Sequence, residues 1–192
     1  MATSRSQRIG IWIITVILGI GTLGSFLIMG LSLSNQKVDL AEQQKAYQQY
    51  LDQQKVAAQA NADNSEALEG YSTRTFDASN VKTLKVEVLK TGNGDVIKKT
   101  DSINTSYFGW TSDGKIFDSS KKKNSADEPI TFSLSGVISG WTEGLAGQKV
   151  GSVIRLTIPA AKAYGSTGSG VIEANTPLEF IVIIHKIDNS EA

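Results

Sequence analysis

Cysteine is absent and histidine occurs once, at position 185, in a chain of 192 residues. No disulfide scaffold and no thiolate nucleophile can be built from this sequence, and one imidazole leaves almost nothing for zinc. A Ser–His–Asp triad would have to use His185. Net charge is missing too. The 19 Lys and Arg balance 19 Asp and Glu, which argues against nucleic acid as a partner, because that demands a clustered basic surface. The common forms of acid–base, nucleophilic and metal chemistry are set aside, and no cofactor or metal is expected. The length suits one globular domain with appendages.

Charge is also absent locally. Ile9–Leu33 runs for about 25 residues without a charged side chain, longer than the roughly 20 needed to cross a bilayer. Arg5 and Arg8 precede it, and the other 17 basic residues and all 19 acids follow. The positive-inside rule then predicts a single-pass membrane anchor with a cytoplasmic N-terminus and the rest of the chain outside the cell membrane. A cleavable signal peptide ending near Ser34 competes with this, although its apolar stretch usually spans only about 7–15 residues. Both readings export the same domain.

From Asn35 to about Thr75 the texture is polar. Leu40–Ala62 is made of good helix formers without Gly or Pro, and Leu40, Tyr47, Leu51 and Ala58 fall near one helical face. This thin, Gln-rich stripe reads as a solvated spacer about 35 Å long, or as a weak coiled coil pairing two chains. The oligomeric state stays open. Asn61–Thr75 turns to Asn, Asp, Ser and Gly, with Gly70 as a stop, and reads as a hinge. The chain thus divides into residues 1–34 as cytoplasmic tip and anchor, 35–75 as partly helical linker, and 76–192 as folded domain.

Within that domain Leu84, Val86 and Val88 alternate with Lys85 and Glu87, the two-residue period of a half-buried strand. Ser102–Trp110 is a β-rich run, and Asp113-Gly114 signals a hairpin. Ile130–Leu134, Val153–Ile158 and Leu178–Ile187 continue the pattern. In the last run Leu178, Phe180, Val182 and Ile184 share one face, with Glu179 and His185 on the other. Only Gly140–Ala146 offers helix material. The expected class is α+β, an antiparallel sheet covering a single helix.

The order of short blocks is more informative than their periodicity. Tyr107-x-Gly109 is followed by DGKIFDSS (Asp113–Ser120), PITF (Pro129–Phe132), GVISGWTEGL (Gly136–Leu145), Val150-Gly151, IPAAKAYG (Ile158–Gly165) and TPLEFIVII (Thr176–Ile184). Together they resemble the FK506-binding (FKBP) family of peptidyl-prolyl cis-trans isomerases, in a membrane-anchored, bacterial-like form, over roughly Leu84 to Ile187. The resemblance implies an antiparallel half-barrel wrapped around one short helix, with an apolar pocket between them. It implies that Trp141 is the pocket floor, that Tyr107, Phe117 and Phe180 are aromatic walls, and that Asp118 and Tyr164 supply polar groups. The Ile138 N–H and the Tyr164 hydroxyl would bond carbonyls of a bound proline segment. Ile130, Val137, Val171 and Ile172 would complete the substrate-binding surface.

The implied activity is isomerisation of X–Pro bonds in exported or envelope proteins, assisting their folding. An FK506- or rapamycin-like macrolide is the implied small ligand. A non-catalytic module that holds proline-containing segments at the membrane is the alternative. Some positions depart from the family pattern. Ile130 stands where an aromatic is common, Phe108 and Trp110 flank Gly109 where smaller or aliphatic residues are usual, and the loop Ser166–Pro177 is about one residue short. No long insertion separates Ser120 from Gly136, so the chaperone flap of some bacterial relatives is absent.

Overall fold

The computed structural model describes residues 40–188. The expected anchor lies outside the described residues, and among those described no helix is long and apolar enough to cross a membrane. Helix α1 spans Leu40–Asn64, the helix-forming stretch read from composition. It carries Tyr47 and Val56 largely exposed.

Six strands follow: β1 (Lys85–Lys90), β2 (Ser102–Trp110), β3 (Ile116–Ser119), β4 (Ile130–Ser133), β5 (Val153–Ile158) and β6 (Leu178–Ile187). They form one sheet in the order β1-β5-β6-β2-β3, with β4 also pairing β2. Every pairing is antiparallel. One edge of β2 bonds β6 along most of its length. The other edge serves β4 at Ser102–Thr105 and β3 at Phe108–Trp110, so the sheet must curl as β2 passes from one partner to the next. β1 has a single neighbour, and Val86 and Val88 are 39% and 45% exposed. Their alternation predicted a half-buried strand; the edge position leaves it open.

The concave face holds helix α2 (Ser139–Leu145). A seven-residue helix with two glycines is intrinsically poor, and contact with β5 explains the choice. A Cβ on Gly140 would lie 2.4 Å from Ile158 Cγ2, and one on Gly144 would lie 2.6 Å from Leu156 Cδ2. The helix backbone therefore rests on the sheet, and Trp141 and Leu145 are driven into the core with Ile154, Leu156, Ile158, Val182 and Ile184.

The opposite face is covered as well, by the segment expected to be a hinge. Leu68, only 4% exposed, packs with Phe108, Trp110, Val153 and Ile181, flanked by Tyr71 and Phe76. Phe108 and Trp110 stack at 5.1 Å, and the Trp110 indole donates to the Arg74 carbonyl at 3.0 Å. Glu179, placed on an outward face by its period, is 1% exposed. Arg74 grips both its carboxylate oxygens at 2.9 and 2.7 Å, and Thr157 adds a donor at 2.7 Å. A buried carboxylate needs such partners, because desolvating it alone is costly. Residues 65–76 are thus a strap bound to the domain. The hinge reading failed because its anchors, Leu68, Tyr71, Arg74 and Phe76, follow no strand or helix period. Leu68→Ala is expected to lower the unfolding free energy by about 2–4 kcal/mol, measured by denaturant titration; a change below about 0.5 kcal/mol contradicts a packed strap.

Candidate active site

The site starts from Trp141 in the first turn of α2. Its indole stands edge-to-face against Tyr107 at 5.4 Å, Phe132 at 5.5 Å and Phe180 at 5.4 Å. Phe117 meets Phe180 edge-on at 5.5 Å, and Tyr107 meets Phe132 likewise. Each such pair adds about 0.5–1.5 kcal/mol beyond burial, so the rings fix one another. Gly109 makes room for this arrangement, since a Cβ there would lie 2.5 Å from the Phe180 ring and 2.6 Å from that of Phe117. Above the rings opens a cavity of about 290 Å³, lined by Tyr107, Phe117, Asp118, Phe132, Gly136, Val137, Ile138, Trp141, Tyr164 and Phe180. The Trp141 Nε1 is buried without an acceptor among the described residues. Ile138 is the residue before α2, so its N–H falls outside the helical ladder.

Phe117 and Asp118 are neighbours on one strand, yet both line the cavity. The pairing of β2 with β3 explains it. Gly109 faces Asp118 and Trp110 faces Ile116, leaving Phe117 as the extra residue of a bulge, and a bulge re-aims side chains. Asp118 Oδ2 accepts a hydrogen bond from the Tyr107 hydroxyl. Oδ1 accepts from the Ser119 N–H at 2.9 Å. Burial, together with the Asp118 charge, pushes the Tyr107 hydroxyl well above the ordinary phenol value and the Tyr164 hydroxyl up to about 12. Both stay neutral donors across the physiological range.

The residues expected at the pocket are placed as follows. Tyr107, Phe117, Asp118, Val137, Ile138, Trp141, Tyr164 and Phe180 come together around the one cavity. Val171 and Ile172 line a recess of about 40 Å³ beside it, bordered also by Phe117, Asp118, Tyr164, Ser169, Gly170 and two residues of α1, Ala58 and Asn61. Ile130 packs against the core but does not line the cavity. The ring that the Ile130 reading missed is Phe132, two residues along β4 and on the same face; the strand period was the available signal. His185 builds no triad. Its Nε2 lies 2.7 Å from Ser106 Oγ, whose proton goes to Asp127, so the carboxylate holds the serine rather than orienting the imidazole.

Comparison with known proteins agrees with this geometry. Residues 93–185 match the family model for FKBP-type peptidyl-prolyl cis-trans isomerases. The FKBP-type isomerase FkpA of Escherichia coli K12 is 39% identical over 125 residues, covering 63% of this chain and 45% of that protein. FkpA of Aeromonas hydrophila is 37% identical over 160 residues, 79% of this chain and 59% of the relative. The chain thus spans about half the length of the curated relatives it matches. A solved peptidyl-prolyl cis-trans isomerase from Pseudomonas syringae pv. tomato superposes with a TM-score of 0.50 at 28% identity, over 71% of this chain and 95% of that one.

Because Tyr107 and Tyr164 ionise later in the folded chain than in the unfolded one, where tyrosine titrates near about 10, their contribution to stability is complete below about pH 10 and is lost above it, for Tyr164 as pH climbs toward 12. A spectrophotometric titration should keep both un-ionised past the ordinary tyrosine value of about 10 in the native protein, and Tyr164→Phe should remove one late-titrating group. Loss of every tyrosine proton near the unfolded value contradicts the burial of these hydroxyls.

Proposed function

We propose that the FKBP-type domain of this chain is a working peptidyl-prolyl cis-trans isomerase, acting on X–Pro bonds of exported or envelope proteins. The observation that carries this reading is the open cavity floored by Trp141 and walled by rings, with Asp118 and Tyr164 at its polar side. Its volume, about 290 Å³, is close to the lower end of small-ligand pockets, roughly 300 Å³. Rotation about X–Pro faces about 18–20 kcal/mol because resonance stiffens the C–N bond. No bond breaks, so neither nucleophile nor metal is required. At the twisted transition state conjugation is lost and charge separation falls, and a dry aromatic wall favours that state over the planar, hydrated amide. The Tyr164 hydroxyl and the Ile138 N–H hold the flanking carbonyls, while Asp118 orients the Tyr107 hydroxyl. A thousandfold acceleration asks for about 4 kcal/mol of differential binding.

The test is the proline-limited refolding phase of a reporter protein, normally tens to hundreds of seconds long. The detergent-solubilised full chain is expected to shorten it. Asp118→Ala and Trp141→Leu should each lower kcat/KM about tenfold, roughly 1.4 kcal/mol, and an FK506-like macrolide should compete for the cavity and quench Trp141 fluorescence. Macrolide binding without any acceleration supports the alternative, a proline-segment holder.

The extracytoplasmic setting is part of the same proposal. The uncharged run from Ile9 to Leu33 and the two arginines before it support a tether with the domain outside. The full chain should stay in the membrane pellet after alkaline carbonate extraction, and Leu18→Arg should release it. A mature chain beginning just after Ser34 would replace the tether with a cleaved signal.

A further inference from the structure

The recess beside the main cavity is closed by α1, an element outside the segment that matches the isomerase family. Asn61, in the last turn of α1, donates from Nδ2 to Asp118 Oδ1 at 2.8 Å. The orientation of its amide follows from the other end, where Asn61 Oδ1 accepts from Lys122 Nζ at 2.8 Å. An ammonium can only donate, so the oxygen faces Lys122 and the NH₂ faces Asp118. Lys122 Nζ reaches Asp118 Oδ1 as well, at 3.3 Å, and Ser65 Oγ at 3.0 Å.

Backbone bonds fasten the turn in place. Glu66 N–H donates to the Lys121 carbonyl at 3.1 Å, and Lys123 N–H to the Asn64 carbonyl at 2.8 Å. Across the recess α1 also touches the loop after Tyr164. A Cβ on Gly170 would come within 2.8 Å of the Ala58 Cβ, and the buried Ser169 Oγ beside it has no partner among the described residues.

We infer that Asn61 is a positioning residue for the isomerase site, so that the docked end of α1 belongs to the working machinery. The inference rests on the activity proposed above. With Tyr107 on one oxygen and Asn61, Lys122 and Ser119 on the other, the Asp118 carboxylate has one orientation. Without Asn61 the oxygen on the α1 side loses a neutral donor and the group is freer to turn. Small misplacements of an orienting group are costly in rate.

The experiment measures kcat and KM for an X–Pro peptide, together with the melting temperature, on the full chain. Asn61→Ala removes the amide; Asn61→Asp keeps its shape but turns the N–H donor into a carboxylate oxygen that repels Asp118. Gln59→Ala, on the exposed face of α1 where Gln59 bonds Asp63, is the control. Both Asn61 variants are expected to lose about fivefold or more in kcat/KM, mostly in kcat, while the control matches wild type. An active wild type whose Asn61 variants stay within about twofold overturns this inference alone. So does a lower melting temperature with unchanged kcat per folded molecule, which is the signature of a merely structural role. An inactive wild type overturns it together with the activity it rests on.

Discussion

The Trp141 indole stands at the centre of this molecule, edge-on to three other rings and close above the sheet. Two glycines in α2 let the helix backbone rest on Ile158 and Leu156, and that approach sets the depth at which the indole lies. A third, Gly109 on β2, lets Phe117 and Phe180 lean over the strand. These absences of side chain shape the hollow as much as the aromatics do. A hollow walled by interlocked rings cannot collapse without breaking several edge-to-face contacts at once.

The polar side of the cavity depends on a different device. Asp118 is presented by a bulge in β3 and held through both oxygens. Desolvation costs the nearby tyrosines far more in their charged form than in their neutral one, so burial keeps them as neutral donors. An apolar floor with neutral donors at its rim fits a reaction in which a bond rotates and none is broken. The same frame extends beyond the family-matched segment, because the strap from Ser65 to Phe76 covers the back of the sheet and ties the end of α1 to Lys121–Lys123, just after β3.

Much of this was legible in the chain. The strands lie where the β-rich runs stand, and Asp113-Gly114 made the hairpin, with Gly114 at a φ of 82°. The ordered blocks from Tyr107 to Phe180 named most of the cavity lining. One ring that escaped, Phe132, lay on the period of β4; the rest was non-periodic or depended on register. Phe132 takes the wall position assigned to Ile130, and the bulge that turns Phe117 and Asp118 to the same side is invisible without the pairing of β2 and β3. Leu68 and Arg74 sit in a stretch whose small polar residues look like a hinge, and only the buried Glu179 and Trp110 show why the strap binds. Ala58 and Asn61 belong to a helix read as a solvated spacer or a weak coiled coil, whose contact with the loop after Tyr164 is long-range.

The central claim is that a proline ring held over Trp141 turns through its twisted state faster than in water. Two-dimensional exchange NMR on an X–Pro peptide, with the protein at a small fraction of the peptide concentration, reads that turn directly. The account predicts cross-peaks linking the cis and trans resonances at mixing times of about a second, where the free peptide, which interconverts over tens of seconds or longer, gives none. Peptide resonances that shift on binding while the two isomers stay unlinked would contradict it.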